Sequence, residues 1–124
     1  MNHQLIIRHP KLFEGKELPT LGVPEGWFNL VDVLFGRIEE MMPDELMPYF
    51  FLSTVEERYA KLSINFQGAC NEEVEELLDL AEWQSEHTCQ ECSDHGHRRT
   101  DGSLRCLCDF CEREREIRVR RKRY

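Results

Sequence analysis

Apolar residues recur every three or four positions in two parts of the chain, which predicts two amphipathic helices. The first runs from about Trp27 to Met42 and ends at Pro43. The second follows Asn71, a good N-cap residue, and runs to about His87. Their apolar stripes are Trp27, Leu30, Val31, Leu34, Ile38 and Met41 in the first, and Val74, Leu77, Leu78 and Ala81 in the second.

The segment between these helices has a different pattern. Leu62–Phe66 alternates apolar and polar side chains with a period of two, which predicts a strand. We expect a short helix over Val55–Ala60, because Ser53 or Thr54 stands three residues before a glutamate, as in a capping box. Asp44–Leu52 fits neither period. Residues 1–26 contain three prolines and three glycines and predict an irregular arm, docked on the body because its apolar side chains need burial.

Four cysteines near the C-terminus carry the clearest chemical signal. They form two C-x2-C pairs separated by 15 residues, a spacing typical of a structural zinc site. A hairpin is expected to turn at Thr100–Ser103, with Leu104–Leu107 as its returning strand and a helix from Glu112 onwards. The predicted ligands are Cys89, Cys92, Cys108 and Cys111.

A disulfide framework is the alternative use of the six cysteines, and it requires an oxidising compartment. The N-terminus lacks an apolar stretch of signal-peptide length, and no run of 18 apolar residues is present. These observations favour a reducing cytoplasm, no membrane association and thiols that are free to bind Zn²⁺.

The predicted fold class is therefore α+β, with helices, a short sheet and a C-terminal treble-clef or zinc-ribbon module. The length of 124 residues fits one small domain with a metal-stabilised appendage. We divide the chain into an N-terminal arm (1–26), an acidic body (27–87), a zinc module (88–112) and a basic C-terminal helix or tail (113–124).

Charge is distributed unevenly along the chain. The formal net charge is −8, yet residues 1–88 carry 6 Lys and Arg against 17 Asp and Glu, whereas residues 89–124 carry 10 against 7. A basic tail can bind phosphates with release of counterions, or can simply be a solvated helix end. Its candidate nucleic-acid contacts are Arg118, Arg120, Arg121, Lys122 and Arg123.

The acidic residues concentrate on the two predicted helices. This cluster can be a solubilising surface, or it can attract a partner protein with a basic surface. The partner-binding candidates are Glu72, Glu73, Glu75, Glu76 and Asp79, with Glu82, Glu39 and Glu40 beside them.

Three short motifs resemble a family of small uncharacterised phage and prophage proteins. They are GWFNLVD at 26–32, KLSINF at 61–66, and TCQEC at 88–92 with a closing LCD at 107–109, so the resemblance covers about residues 24–111. The family has no assigned activity, and the resemblance implies a phage accessory role. Members of this family often carry a histidine near the position of Cys111. A histidine can bind zinc there as a thiolate does.

Other residues near the cysteines leave alternatives open. Cys106, His87, His95 or His97 could replace a cysteine ligand, although Cys106 is expected to pack in the interior and Cys70 to be a lone thiol. Asp94–His97 resembles the Asp-His of HNH nucleases, but the closing helix lacks the His or Asn of such sites.

Three functions remain from the sequence. The first is a non-catalytic zinc protein that binds a host protein complex, with counter-defence as one role. The second is a nucleic-acid-binding zinc finger that uses its basic tail, and the third is an HNH-like nuclease.

Overall fold

The protein folds as an α+β structure with one three-stranded sheet and one two-stranded sheet among the residues described. The computed structural model describes residues 2–100 and 104–123, with side chains as far as Arg121. The helices are α1 (Asn2–Ile7), α2 (Pro10–Phe13), α3 (Phe28–Met41), α4 (Glu72–Ser85) and α5 (Asp109–Arg123). The strands are β1 (Thr20–Gly22), β2 (Phe50–Arg58), β3 (Lys61–Gly68), β4 (His97–Arg98) and β5 (Cys106–Leu107).

The larger sheet is built on the β2–β3 hairpin. These strands are antiparallel, and β1 from the N-terminal segment adds to β2 in parallel. The expected strand at 62–66 is confirmed and extends to 61–68. The expected helix over Val55–Ala60 is wrong, because 55–58 belongs to β2 and 59–60 to the turn after it. Val55 is fully buried and pairs with Ile64.

The hairpin closes on a two-residue turn formed by Tyr59 and Ala60. Both residues have positive φ angles, 53° and 67°, in the left-handed region that Asn and Gly usually occupy. The Ala60 N–H donates to the Glu57 carboxylate at 2.8 Å, which fixes the turn. Because neither Gly nor Asn marks this turn, the sequence gives no signal for it.

Both predicted helices are present, as α3 and α4. α4 packs on β3 and against α3. The Asn71 side chain accepts a hydrogen bond from the Val74 N–H at 3.0 Å, so the predicted N-cap is confirmed. Val74, Leu78 and Ala81 are buried on the inner face of α4, as expected.

The N-terminal segment is more regular than expected. It contains α1, α2 and β1, and four of its apolar side chains lie in the same core as α3 and the sheet: Leu5, Leu12, Phe13 and Val23. Buried His9 lies between the carboxylates of Asp32 and Glu39, 2.7 Å from each. Lys16 Nζ donates to the carbonyls of Met47 and Phe50. The segment is therefore docked, as predicted.

The C-terminal unit consists of a cysteine turn after α4, the short β4–β5 hairpin and α5. The expected helix begins at Asp109 rather than Glu112, and the returning strand is limited to Cys106–Leu107. Of the expected turn at 100–103, only Thr100 lies within the described residues. Turn, hairpin and helix in this order make the treble-clef arrangement, because two cysteines lie at the start of the closing helix.

Candidate metal centre and binding surfaces

The structure brings together the four cysteines that the spacing predicts. Cys89 and Cys92 lie in the turn after α4, Cys108 directly precedes α5 and Cys111 lies in its first turn. Their four Sγ atoms lie within 4.8 Å of one another. Residues more than 15 positions apart thus form one cluster that can hold a metal ion.

The sulfur geometry fits a tetrahedral thiolate site. Zn–S bonds of about 2.3 Å in a tetrahedron place neighbouring sulfurs about 3.8 Å apart, and the Sγ atoms of Cys92 and Cys108 are 3.6 Å apart. The Cys111 N–H donates to Cys108 Sγ at 3.4 Å. Such N–H bonds favour the thiolate, which is the form that binds metal.

The thiols differ in acidity because their surroundings differ. Burial acts to raise the pKa of Cys89, but hydrogen bonds from the backbones of Cys108, Cys92 and Glu91 outweigh it and lower the pKa to about 7. Burial and the neighbouring thiols raise the pKa of Cys111. Gathering four thiols without a cation disfavours their joint ionisation, and a bound cation reverses that balance.

The other thiols and the histidines lie apart from this cluster. Cys106 is fully buried in the core of the body, and its Sγ donates to the Glu86 carbonyl at 3.3 Å. His87 and His95 are exposed and stack with their ring centroids 6.2 Å apart. In the part of the chain that the structure describes, the group of potential ligands is the four cysteines, without Cys106 or a histidine.

The first cysteine turn is docked on the start of α3. Gly26 N–H donates to Gln90 O, Ser93 Oγ donates to Gly26 O, and Trp27 Nε1 donates to Thr88 O, each at 2.7 Å. A Cβ at position 26 would overlap the carbonyl oxygen of Cys89. Glycine is therefore favoured over larger residues where the body meets the cysteine cluster.

The predicted basic tail forms the outer part of α5. Its side chains Arg118, Arg120 and Arg121 are exposed, whereas those of Lys122 and Arg123 lie outside the described residues. Nearer the cysteines, Glu112 is buried and accepts two hydrogen bonds from Arg115. The basic charge thus lies on the part of α5 farthest from the cysteine cluster.

The predicted acidic surface lies on α4. Its five candidate residues are all exposed there: Glu72, Glu73, Glu75, Glu76 and Asp79. Glu82 and Glu39 were placed beside this surface from the sequence, but both are used internally. Glu82 accepts from the Ile64 N–H, and Glu39 accepts from the Leu12 N–H and contacts His9.

A groove between α3 and α4 was missed from the sequence. Its apolar lining includes Val33, Leu80 and Trp83, whose side chains are 59%, 49% and 59% exposed, and its volume beside Trp83 is about 430 Å³. The detectable signal was the pair Leu80 and Trp83, three positions apart on an otherwise acidic helix face. We name this surface the α3–α4 groove.

Comparison of the chain with family models, curated proteins and solved structures finds no significant match. None of the helices in the described ranges is long and apolar enough to cross a bilayer.

Proposed function

We propose that this chain is a zinc-stabilised, non-catalytic binding protein whose α3–α4 groove takes up a basic amphipathic segment of a partner protein. The observations that carry the proposal are the exposed apolar side chains that line the groove and the exposed carboxylates on α4, the helix that forms one of its walls.

Zinc is the metal that the four cysteines favour. Thiolates are soft ligands that select zinc over magnesium, calcium or manganese. Four protein ligands fill a tetrahedral coordination shell, which is typical of structural zinc sites, whereas catalytic sites keep a position for water. The cluster therefore supports a role in folding the C-terminal unit rather than in chemistry.

The groove supports helix recognition. An amphipathic helix binds by laying an apolar stripe into a hydrophobic groove, with anchors three or four residues apart. Trp83 is a side chain of the type that dominates such interfaces. Glu76 and Asp79 lie on the same helix as Leu80 and Trp83, so lysines and arginines on the flank of the partner would find opposite charges there.

The setting that we propose is the cytoplasm of a bacterial host, where a phage-encoded chain would bind a host defence or nucleic-acid-processing protein. The resemblance of the three sequence motifs supports the phage origin, and the acidic surface supports a target that normally binds nucleic acid. Reducing conditions keep the thiols available for zinc.

Nucleic-acid binding through α5 is the second candidate. Exposure of Arg118, Arg120 and Arg121 on one projecting helix supports it, and Glu114 and Glu116 on the same helix weaken it. A nuclease is less favoured, because α5 carries neither His nor Asn to complete an HNH site.

The test of the groove is capture of partners from bacterial lysate on immobilised protein. We expect L80S/W83A to lose a stoichiometric partner that the unchanged protein retains. Leu18→Ser with Tyr49→Ala is the matched control, because it removes two equally exposed apolar side chains elsewhere. Loss of the partner with the control pair but not with the groove pair would contradict the proposal.

Charge reversal tests the acidic row with the captured partner. Glu75→Lys, Glu76→Lys and Asp79→Lys together should lower the association rate and weaken its salt dependence. The matched control changes the exposed residues Glu14, Glu17 and Glu45 to lysine. It alters the net charge by the same amount at positions away from the acidic row. Equal rates for the two triple variants would show that net charge, rather than this surface, governs capture.

A further inference from the structure

A crevice lies between the β2–β3 turn and the β4 strand of the C-terminal unit. It has a volume of about 440 Å³, and three cationic side chains line it: Arg58, Lys61 and Arg98. One carboxylate, Glu86, shares the lining. Positive charge is therefore concentrated at one place in a chain whose net charge is −8.

These three cations lack internal partners, unlike most others before α5. Each of five other basic side chains in that part donates to a carboxylate or a carbonyl: Arg8, Lys11, Lys16, Arg99 and Arg105. Among the described residues, Arg58, Lys61 and Arg98 make no hydrogen bond or ion pair through their side chains, and only Arg37 before α5 resembles them. Three unpaired cations lining one crevice form a site complementary to phosphate.

An exposed aromatic ring stands at the edge of the same crevice. Tyr59 is 75% exposed and adopts the left-handed backbone conformation at the hairpin turn. Asn-Gly would form this turn without backbone strain, whereas a bulky side chain in the left-handed conformation is strained. The stability of the turn therefore does not explain the presence of Tyr59. His87, which also lines the crevice, stacks on His95 with the ring planes 6° apart.

We infer that this crevice binds single-stranded nucleic acid. Arg58, Lys61 and Arg98 contact successive phosphates, and an unpaired base stacks on the ring of Tyr59. Cations that follow the backbone, with aromatic side chains for the bases, are the common means of binding single strands without sequence preference. A duplex keeps its bases stacked on each other, so it cannot use the tyrosine. Among the described residues, none from α5 lines this site, and it adjoins the α3–α4 groove, which His87 also lines.

The test uses fluorescence anisotropy with labelled oligo-dT and oligo-rU of about ten nucleotides at low salt. We expect R58Q/K61Q/R98Q to weaken binding by about tenfold or more and to reduce the salt dependence of the affinity. K11Q/R37Q/R113Q is the matched control, because it removes the same charge at exposed positions outside the crevice and outside the basic end of α5. Metal content and thermal unfolding establish that each variant is folded.

Tyr59→Leu separates stacking from charge. It should lower affinity for the single strand by about fivefold or more and leave the salt dependence unchanged. A duplex of the same length should bind more weakly than the single strand. The inference is overturned if neither oligonucleotide binds the unchanged protein, if the crevice triple variant binds as well as the control, or if Tyr59→Leu has no effect.

Discussion

The body and the C-terminal unit of this chain achieve their folds by different means. The main core joins twenty buried residues from the N-terminal segment, α3, α4, the β2–β3 hairpin and β5, whereas the second cluster has three: Cys89, Leu107 and Cys108. Burial of apolar surface can stabilise the main core. Ordering the C-terminal unit costs about 1–2 kcal/mol of conformational entropy for each of its roughly 35 residues. Burial of three residues cannot offset this cost. We therefore propose that a metal ion held by the four cysteines supplies the remaining stabilisation of the C-terminal unit.

The two regions are nevertheless joined by direct contacts. Gly26 and Trp27 bond to the backbone of residues 88–90, and Cys106 of β5 contributes its side chain to the main core. The unit therefore has a docking site on the body, and we propose that it depends on a bound metal ion for its own shape. The predictions that follow test this division of stabilising forces.

Metal removal should have the largest effect. A structural zinc site contributes about 10–16 kcal/mol of apparent binding free energy to folding, so a strong chelator should unfold residues 89–123 and leave the body folded. Hydrogen exchange measured by mass spectrometry should show protection lost at β4, β5 and α5 and retained at α3 and β2.

The control for this experiment is addition of excess Zn²⁺ after chelation, which should restore the protection. Equal loss of protection in α3 and β2 would contradict the division, because it would make the body depend on the metal as well.

Truncation in the main core should come next. Phe35 is fully buried, and its ring meets that of Phe13 with centroids 5.2 Å apart. Phe35→Ala should lower the free energy of unfolding of the body by about 3–5 kcal/mol. If the body folds without the metal, urea unfolding should give the same loss with and without chelator. A loss of unfolding free energy that is seen only in the metal-bound protein would show that the core around Phe35 depends on the metal.

A substitution at the joint should have a smaller effect. Gly26→Ala places a methyl group against the Cys89 carbonyl, and steric crowding of this kind costs about 1–3 kcal/mol. Hydrogen exchange should increase chiefly in residues 88–95. Gly36→Ala is the matched control on α3, where the nearest atom to an added Cβ is 3.6 Å away. Similar exchange in both variants would argue against tight docking.

The N-cap of α4 should show the smallest effect. Asn71→Ala removes the acceptor for the Val74 N–H and should cost about 1 kcal/mol, without change in metal content. Asn71→Ser should recover most of this loss, because a serine hydroxyl caps equally well. Failure of serine to recover stability would assign Asn71 another role.

Local patterns in the sequence predicted the features that depend on nearby residues. The periods of α3 and α4, the Asn71 cap and the two C-x2-C pairs each arise within one element, so they were found. The second half of β2 was predicted as a helix because its glutamates mimic a capping box, whereas its conformation is set by pairing with β3 and β1. β1 has only three residues, and its parallel partner lies 34 positions away.

The candidate site divides in the same way. The spacing of the cysteines predicts the metal site directly, because two residues between ligands form a tight turn that directs both sulfurs to one point. The α3–α4 groove and the crevice at Arg58 arise from the meeting of separate elements, and no local pattern encodes them. The internal use of Glu39 and Glu82 also depends on partners more than ten positions away.

Metal stoichiometry tests the central statement, that Cys89, Cys92, Cys108 and Cys111 hold a structural zinc ion. Native mass spectrometry with elemental analysis should find one zinc per chain in the unchanged protein and in Cys70→Ser, which alters a cysteine outside the cluster. Cys108→Ser should lose the metal and the protection of α5. Retention of a full equivalent of zinc by Cys108→Ser, or purified protein without metal that keeps α5 protected, would contradict the account.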